Sequence, residues 1–562
     1  MSNWDYTTDF LVIGSGAGAL TAAIRAKDLG ANVLVIEKST QFGGTSAMSG
    51  GALWVPNNHL MPEKGISDSD DAAFNYLSQV ISEGFKEDRI RQYIATAKRA
   101  VKYLTDHTHL QFNCCPAYPD YYPHINGGKP GGRTIEPTPF NSLNLGEHRD
   151  KLRAAHPQMY MMGLIMLTGQ EAQIAGAGGY KAGLIVARLI VGHFLNLPAR
   201  LKSMRSTRVT LGNSLVGCLS LSAIERGIPL WASTPAKKLV MAAGRVIGVE
   251  IEKEHKTLRI RTNKGVLIAS GGFERNLEMR KKYQQPPWSD EWPATHLHNT
   301  GDGIQLGIDV GADLGLMEHS WWMPTIKTVS NAISYIMVFE KSVAGTIIVT
   351  QEGKRFVNES APYDDVGRAM RKEVQEGRGA APAFFIFDKN YRQRFPIGNI
   401  QPATIQPDSR LSERQKRDFI TIAGSVEALA NKLDIPVENL EQTIEKFNGF
   451  ARSGVDEDFK RGDSIYDRYY CNPRVKPNPN LGQINSPPYY AVKLYPGDLG
   501  TKGGLVTDCH ARVLNPSGEI IPGLYATGNC SESVMGNAYP GAGATLGPAV
   551  TFGFLAAEDA AS

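Results

Sequence analysis

The chain has 562 residues, 60 Lys+Arg against 56 Asp+Glu for a net charge of +4, 42% hydrophobic and 21% charged residues. Such a balance describes a globular protein with a sizeable core and room for two large domains, and with no long basic run it does not suggest a nucleic-acid partner. The six cysteines contain no C-x-x-C pair and the start, MSNWDYTTDF, has neither a basic nor a long apolar run, so neither a disulfide framework, nor a metal site, nor a signal peptide is expected, and a cytoplasmic location is.

The first apolar run, DFLVIG (9–14), ends in glycine and reads as a buried parallel strand. GSGAGA follows, then a helical pattern through Ala19, Ala22, Ala23 and Ala26, then the strand ANVLVIEK with Glu37 near its end. Strand, glycine turn, helix, strand and acid form a dinucleotide-binding unit. Gly14 allows the sharp turn, Gly16 lets a pyrophosphate approach the backbone, and Ala19, with Gly18 beside it, lets helix and strand pack closely. The phosphates then face a helix N-terminus, and Glu37 accepts hydrogen bonds from ribose hydroxyls.

The next segment, KSTQFGGTSAMSGGALWVP (38–56), is a second glycine cluster with small hydroxyls. It can run beside an extended cofactor, and it favours FAD over NAD, which has no evident need of it. Further on, MYMMGLIMLTG (159–169) and AGLIVARLIVGHFLNL (182–197) are strongly apolar. Neither reaches the ~18 uninterrupted apolar residues of a membrane span. They read either as buried helices or as a surface that docks on a membrane or receives a lipid-like substrate. A hairpin pattern (KKLVMAAGRVIGVEI) precedes the strand GVLIASGGF (265–273), and GLYATGN (523–529) is another strand ending in a glycine turn. The sheet is therefore assembled from distant pieces. The expected fold is α/β with an α+β cap: a Rossmann-like FAD-binding domain over 1–321 and 496–562, carrying an apolar insertion at about 155–205, interrupted by a catalytic cap domain over 322–495.

At these motifs the chain resembles the superfamily of FAD-dependent fumarate reductases and 3-ketosteroid dehydrogenases. The marks are GSGAGA, EKSTQFGGTSAMSGG, HNTGDG (298–303), GKRFVNE (353–359), GTKGGL (500–505), GLYATGN and YPGAGATLGPA. Within it, PDYYP (119–123), NESAPYDD (358–365) and the closing YPGAGAT are similar to the signatures of 3-ketosteroid Δ1-dehydrogenases. The resemblance implies FAD held without a covalent link, in agreement with the lack of histidine in residues 38–51. It implies cofactor contacts from Gly14, Ser15, Gly16, Ala17, Gly18, Ala19, Glu37 and Lys38. From the second cluster it adds Gly43, Gly44, Thr45, Ser46, Ser49, Gly50 and Gly51. Ala236, Asp302, Gly528, Asn529, Ala544, Thr545 and Leu546 complete the set. A helix from Thr545 would aim its positive end at the flavin pyrimidine.

The reaction so implied removes a proton from C2 and a hydride from C1 of a 3-oxo-4-ene steroid, giving a 1,4-diene, in steroid or sterol degradation. A C–H next to a ketone is too weak an acid unless donors hold the oxygen; Tyr539 and the Gly543 N–H would form that oxyanion hole. By resemblance Tyr363 is the base, and Tyr121 hydrogen-bonds it and passes the proton on. Fumarate reductases carry arginine where this chain has Tyr363, and residues 536–549 contain no Arg, Lys or His, so the pocket is expected to suit a neutral ketone. The other readings are a Δ4-(5α)-dehydrogenase, a fumarate-reductase-like enoate reductase, and a flavin-binding protein without catalysis. The expected partners are a steroid, with cholest-4-en-3-one a candidate, an external electron acceptor such as a quinone, and a peripheral membrane contact through 159–197.

Overall fold

The computed structural model describes residues 4–177, 180–195, 201, 204–329 and 332–562. The chain forms two compact units. The first comprises Met1–Met279, His296–Ser320 and Thr501–Ser562; the second comprises Arg280–Thr295 and Trp321–Gly500.

The first unit is built on a mixed sheet. Its core is parallel: Tyr6–Ile13 lies between Val33–Ile36 and Lys256–Ile268, and Ile520–Ala526 joins on the far side of the latter. These strands read as continuous apolar runs because both faces are covered; Phe10, Leu11 and Val12 have no exposed surface. The hairpin expected from KKLVMAAGRVIGVEI is present as Ala236–Ala242 paired antiparallel with Arg245–Lys253. The helix Ala17–Asp28 packs on the C-terminal helix Leu546–Ala561. A Cβ added at Gly18 would stand 2.5 Å from the Ala549 carbonyl oxygen, and one at Gly553 would stand 2.4 Å from that of Gly18. Gly18 and Gly553 thus let these two helices meet backbone to backbone, and Ala19 beside Gly18 is fully buried.

The second unit interrupts the first in sequence. Its sheet runs in the order Tyr335–Ile336, Ser320–Ile326, Tyr489–Thr501, Ala383–Asp388, Thr346–Val349, with Ile420–Ala423 also pairing with Tyr489–Thr501. Alternation sorts its side chains. Ile348, Phe385 and Phe387 join Val366 and Met370 of the helix Tyr363–Gln375 in one apolar cluster. Ile347, Phe384 and Ile386 face the other way, toward Leu429, Ile444 and Phe447 of the helices Val426–Leu433 and Val437–Ser453. Arg280–Thr295 belongs to this unit because the Arg280 guanidinium pairs with Asp498 inside it, and Arg371 donates to the Pro287 carbonyl.

Within the apolar stretch 155–205, residues 178–179, 196–200 and 202–203 lie outside the described residues. The remainder includes a short hairpin, Tyr160–Met161 with Ile165–Met166, and the helices Gly169–Ala177 and Tyr180–Leu195. The second helix is not buried: Tyr180, Leu184, Val191, Phe194 and Leu195 are exposed. Among the described residues no helix is long and apolar enough to cross a membrane.

Candidate active site

Two sites in the first unit are built by the glycine clusters. At the first, Gly14 (φ +107°) turns the chain so tightly that a Cβ would lie 2.3 Å from the Ala269 carbonyl oxygen. The Ser15 hydroxyl donates to Glu37 Oε2 at 2.6 Å and accepts from the Gly43 N–H at 2.9 Å, so it links the two clusters. Glu37 also accepts from the Ser39 N–H at 2.9 Å, which fixes its carboxylate at the end of the second strand. Ser46 Oγ accepts from the Ala17 N–H, and Thr45 Oγ1 accepts from Asn299 Nδ2 at 2.9 Å. Gly51 (φ +67°) closes on the Leu211–Gly212 backbone. At Gly44 and Gly50, by contrast, an added Cβ would meet no protein atom within 4 Å. Their smallness serves no contact with this chain. Together with the amides at the start of Ala17–Asp28, this is a cradle that fits the extended body of FAD.

The other residues expected at the cofactor are placed as follows. Lys38 donates to Thr300 Oγ1 at 2.7 Å and pairs with Asp302, so these two predicted contacts hold each other. Gly528 (φ +73°) follows the strand Ile520–Ala526 near Ala549, and Asn529 lies in the turn after it. Ala236 begins the antiparallel hairpin. Ala544 and Thr545 immediately precede the helix that starts at Leu546, with Thr545 at its N-cap.

Sequence reasoning missed Arg153 and His296. Arg153, 8% exposed, donates to Ser39 Oγ at 2.7 Å and to the Gln41 carbonyl at 3.2 Å, and its Nη1 meets His296 Nε2. Burial, then Arg153, His298, Arg275 and Lys38, push the His296 imidazole down to about 3.

The second site lies at the closing motif YPGAGAT. The buried rings of Tyr121 and Tyr539 lie 5.2 Å apart, tilted by 42°. The Tyr121 N–H donates to the Pro540 carbonyl at 3.0 Å, the Tyr76 hydroxyl donates to the same oxygen at 2.6 Å, and Thr134 Oγ1 donates to the Ala542 carbonyl at 3.0 Å. Gly543 (φ +96°) is pressed on the Leu53–Trp54 backbone, where a Cβ would be 2.4 Å from Leu53 C. Protein backbone thus occupies the space a side chain at this position would need. A buried ionic group ties the parts together. Asp120, next to Tyr121, accepts from Trp54 Nε1 and from Arg133 Nη1, both at 2.8 Å, and Arg133 also grips Asp68 with two bonds of 2.8 Å.

The absence of cations in residues 536–549 does not carry over to three dimensions. Lys502, fully buried, donates to the Asn537 and Ala538 carbonyls at 2.7 and 2.6 Å and stands 6.0 Å from the Tyr539 ring centroid. In the sequence GTKGGL is a family mark with no contact assigned to its lysine.

In the second unit Tyr363 is the first residue of the helix Tyr363–Gln375 and is 6% exposed. Asp364 accepts from the Trp322 N–H at 2.9 Å and from Arg368 Nε at 2.6 Å, which anchors that first turn. The loop before it is held from below. Lys341 Nζ donates to the Glu359 and Ala361 carbonyls at 3.0 and 2.6 Å, and the Glu359 carboxylate bridges Arg355 and Arg461. Burial pushes the Lys341 ammonium down to about 7. Among the described residues one group, Glu83, Glu318 and His319, gathers three donor atoms suited to a metal, but it lies at the surface and its short ion pairs account for it.

Comparison with known proteins places this geometry. Residues 9–546 match the FAD binding domain family. The 3-oxosteroid 1-dehydrogenase of Mycobacterium tuberculosis H37Rv is 39% identical over 558 residues, 98% of this chain and 97% of that one. The chain belongs to the 3-oxosteroid 1-dehydrogenase family. FAD is the cofactor of this family member, in line with the cradle above. The crystal structure of a 3-ketosteroid Δ1-dehydrogenase from Sterolibacterium denitrificans, in complex with 1,4-androstadiene-3,17-dione, is 43% identical with a TM-score of 0.96 and 99% of each chain covered. A 4-oxocyclohexanecarboxylate 2-dehydrogenase of Sinomonas cyclohexanicum is 34% identical over 573 residues, 98% of this chain and 92% of that one. The fumarate-reductase reading is set aside by the level of these identities and by Tyr363.

Proposed function

We propose that the protein catalyses the 1,2-dehydrogenation of 3-ketosteroids. The observation that carries the reading is the pairing of Tyr121 with Tyr539 beside Gly543, in a chain similar over its full length to 3-oxosteroid 1-dehydrogenases. The Tyr539 hydroxyl and the Gly543 N–H hold the ketone oxygen and stabilise the negative charge that grows there as C2 loses its proton. Tyr363 takes that proton, and Tyr121 supports it by hydrogen bonding and relays the proton outward. FAD, held without a covalent bond by the two glycine clusters, supplies the hydride acceptor for C1. An external electron acceptor closes the cycle.

The test is anaerobic mixing of the FAD-loaded protein with androst-4-ene-3,17-dione. Bleaching of the flavin with formation of the 1,4-diene is expected. Bleaching only by a saturated 5α-steroid, or only by 4-oxocyclohexanecarboxylate, would replace this reading with one of its neighbours.

The helix Tyr180–Leu195 is further read as a peripheral membrane contact. Tyr180, Leu184, Val191 and Leu195 recur at helical spacing, and Tyr180 and Leu195 are 75% and 74% exposed. Arg188, on the same face, can extend toward lipid headgroups. Such a contact would deliver sterols with a long side chain from the bilayer. Replacing Leu184 and Leu195 with Glu should abolish flotation with phosphatidylglycerol vesicles and slow turnover of vesicle-borne cholest-4-en-3-one. Turnover of dissolved androst-4-ene-3,17-dione should be unchanged; unaltered flotation would reject the idea.

A further inference from the structure

The ketone site contains a basic side chain that its motif does not. Lys502 follows Thr501 at the start of GTKGGL, and its own backbone is fixed at both sides: its N–H donates to the His319 carbonyl at 3.0 Å and its carbonyl accepts from the Ser533 N–H at 3.0 Å. Its side chain is fully buried and ends on the carbonyls of Asn537 and Ala538, the two residues before Tyr539. The ammonium lies 6.0 Å from the centre of the Tyr539 ring. Placing a cation in the interior is costly, and a lysine used only to tie two carbonyls could be replaced by a neutral donor at less cost.

We propose that Lys502 is a positioning and electrostatic residue of the ketone site. Its bonds to residues 537 and 538 set the entry of Tyr539 into the loop. Its charge favours negative charge on whatever oxygen Tyr539 grips, because a fixed cation in a low-dielectric interior acts strongly over this distance. The inference rests on the reading that Tyr539 holds the substrate ketone. It adds that the oxyanion hole has a cationic floor, contributed by a segment remote in sequence from the tyrosine it serves.

The experiment uses FAD-loaded wild type, Lys502→Met, Lys502→Gln and Lys502→Arg. Two quantities are read: the rate of anaerobic flavin reduction by androst-4-ene-3,17-dione, and the ionisation of bound estradiol followed by its phenolate absorbance. The phenolic ring is a planar analogue of the enolate, and free phenols titrate near ~10. Lys502→Met should slow reduction by about 10²-fold, and should raise the apparent pKa of bound phenol by about one unit or more. Lys502→Arg should preserve most of both. If Lys502→Met fails to bind FAD, the contrast of Gln with Arg carries the test. Reduction at the wild-type rate in the Met and Gln variants overturns the proposal. So does a slowed reduction with the phenol ionising as in wild type, which would leave only a structural role. Failure of the wild type to be reduced by any 3-ketosteroid overturns the parent reading instead, while the phenol titration still reports on Lys502.

Discussion

Replacing Gly543 with alanine tests the ketone site most directly. The residue has φ +96°, a region that costs an L-residue ~1–2 kcal/mol. The new Cβ would lie 2.4 Å from Leu53 C, 2.5 Å from Trp54 N and 2.6 Å from Leu53 Cα. All three are backbone atoms, so no side chain can swing aside. Relief requires about 1 Å of separation between the two segments, and overpacking of this kind costs ~1–3 kcal/mol. The Leu53–Trp54 side cannot supply it cheaply: it pairs with Ile135 and Thr134, and Trp54 is bonded to Asp120. The loop 540–543 must move instead, taking the Gly543 N–H and the neighbouring Tyr539 with it. A misplacement of ~1 Å can cost about 10²-fold in rate. Flavin reduction by androst-4-ene-3,17-dione, followed anaerobically by stopped flow, should therefore slow by at least that factor, alongside a lowered melting temperature in a flavin-fluorescence melt. A rate within a factor of about three of wild type, under 1 kcal/mol of barrier, would show that neither this amide nor its seat on Trp54 matters to the reaction.

Three other outcomes follow from the same geometry. Gly50→Ala adds a methyl that meets no protein atom within 4 Å, so the melting of the apoprotein should not change, while FAD affinity from fluorescence titration should fall about tenfold, or ~1.4 kcal/mol; equal affinity would remove this loop from the cofactor site. Tyr363→Phe should slow flavin reduction by about 10²- to 10⁴-fold and suppress deuterium exchange at C2 of the steroid, with FAD content intact; undiminished exchange would assign the base elsewhere. His296, whose imidazole sits at about 3 in the fold against 6.5 in the open chain, is neutral in both states at higher pH. As pH falls below 6.5 the unfolded chain takes up a proton that the native one refuses, so stability drops until about pH 3 and is flat beneath. At pH 5 the difference is ~2 kcal/mol before solvent screening and on the order of 1 kcal/mol after it, because the ring is partly exposed. Melting at pH 7 and 5 should show this loss, and His296→Gln should reduce it; identical slopes in both proteins would refute the assignment.

What the sequence displayed was what local spacing can encode. The turn at Gly14, the acid at Glu37 and the second cluster at 43–51 are each read within a few residues, and the strand–turn–helix order makes them specific. Charged partners were hidden because their contacts are remote: Arg153 meets His296 across 143 positions, Arg133 meets Asp68 across 65, and Lys502 meets Asn537 across 35. A lone Arg or Lys in sequence has no periodicity to reveal it. The helix Tyr180–Leu195 was ambiguous for another reason. Apolar composition records that a surface leaves water favourably, not what covers it, and here the fold leaves that face open.

The three tyrosines share one construction. Arg133 bonds the carboxylate of Asp120, directly before Tyr121; Lys502 bonds the carbonyl of Ala538, directly before Tyr539; Lys341 bonds the carbonyl of Ala361, two residues before Tyr363. In each case a buried basic side chain holds the chain just upstream of the phenol. A neutral donor could make the same contacts, but charge-assisted bonds are shorter and stronger, so they define the position of the ring more narrowly. The cost is desolvation of three basic groups, which makes each of them expensive to truncate. Conservative exchanges that keep the charge should therefore be tolerated where neutral ones are not, at all three positions and by the same assay.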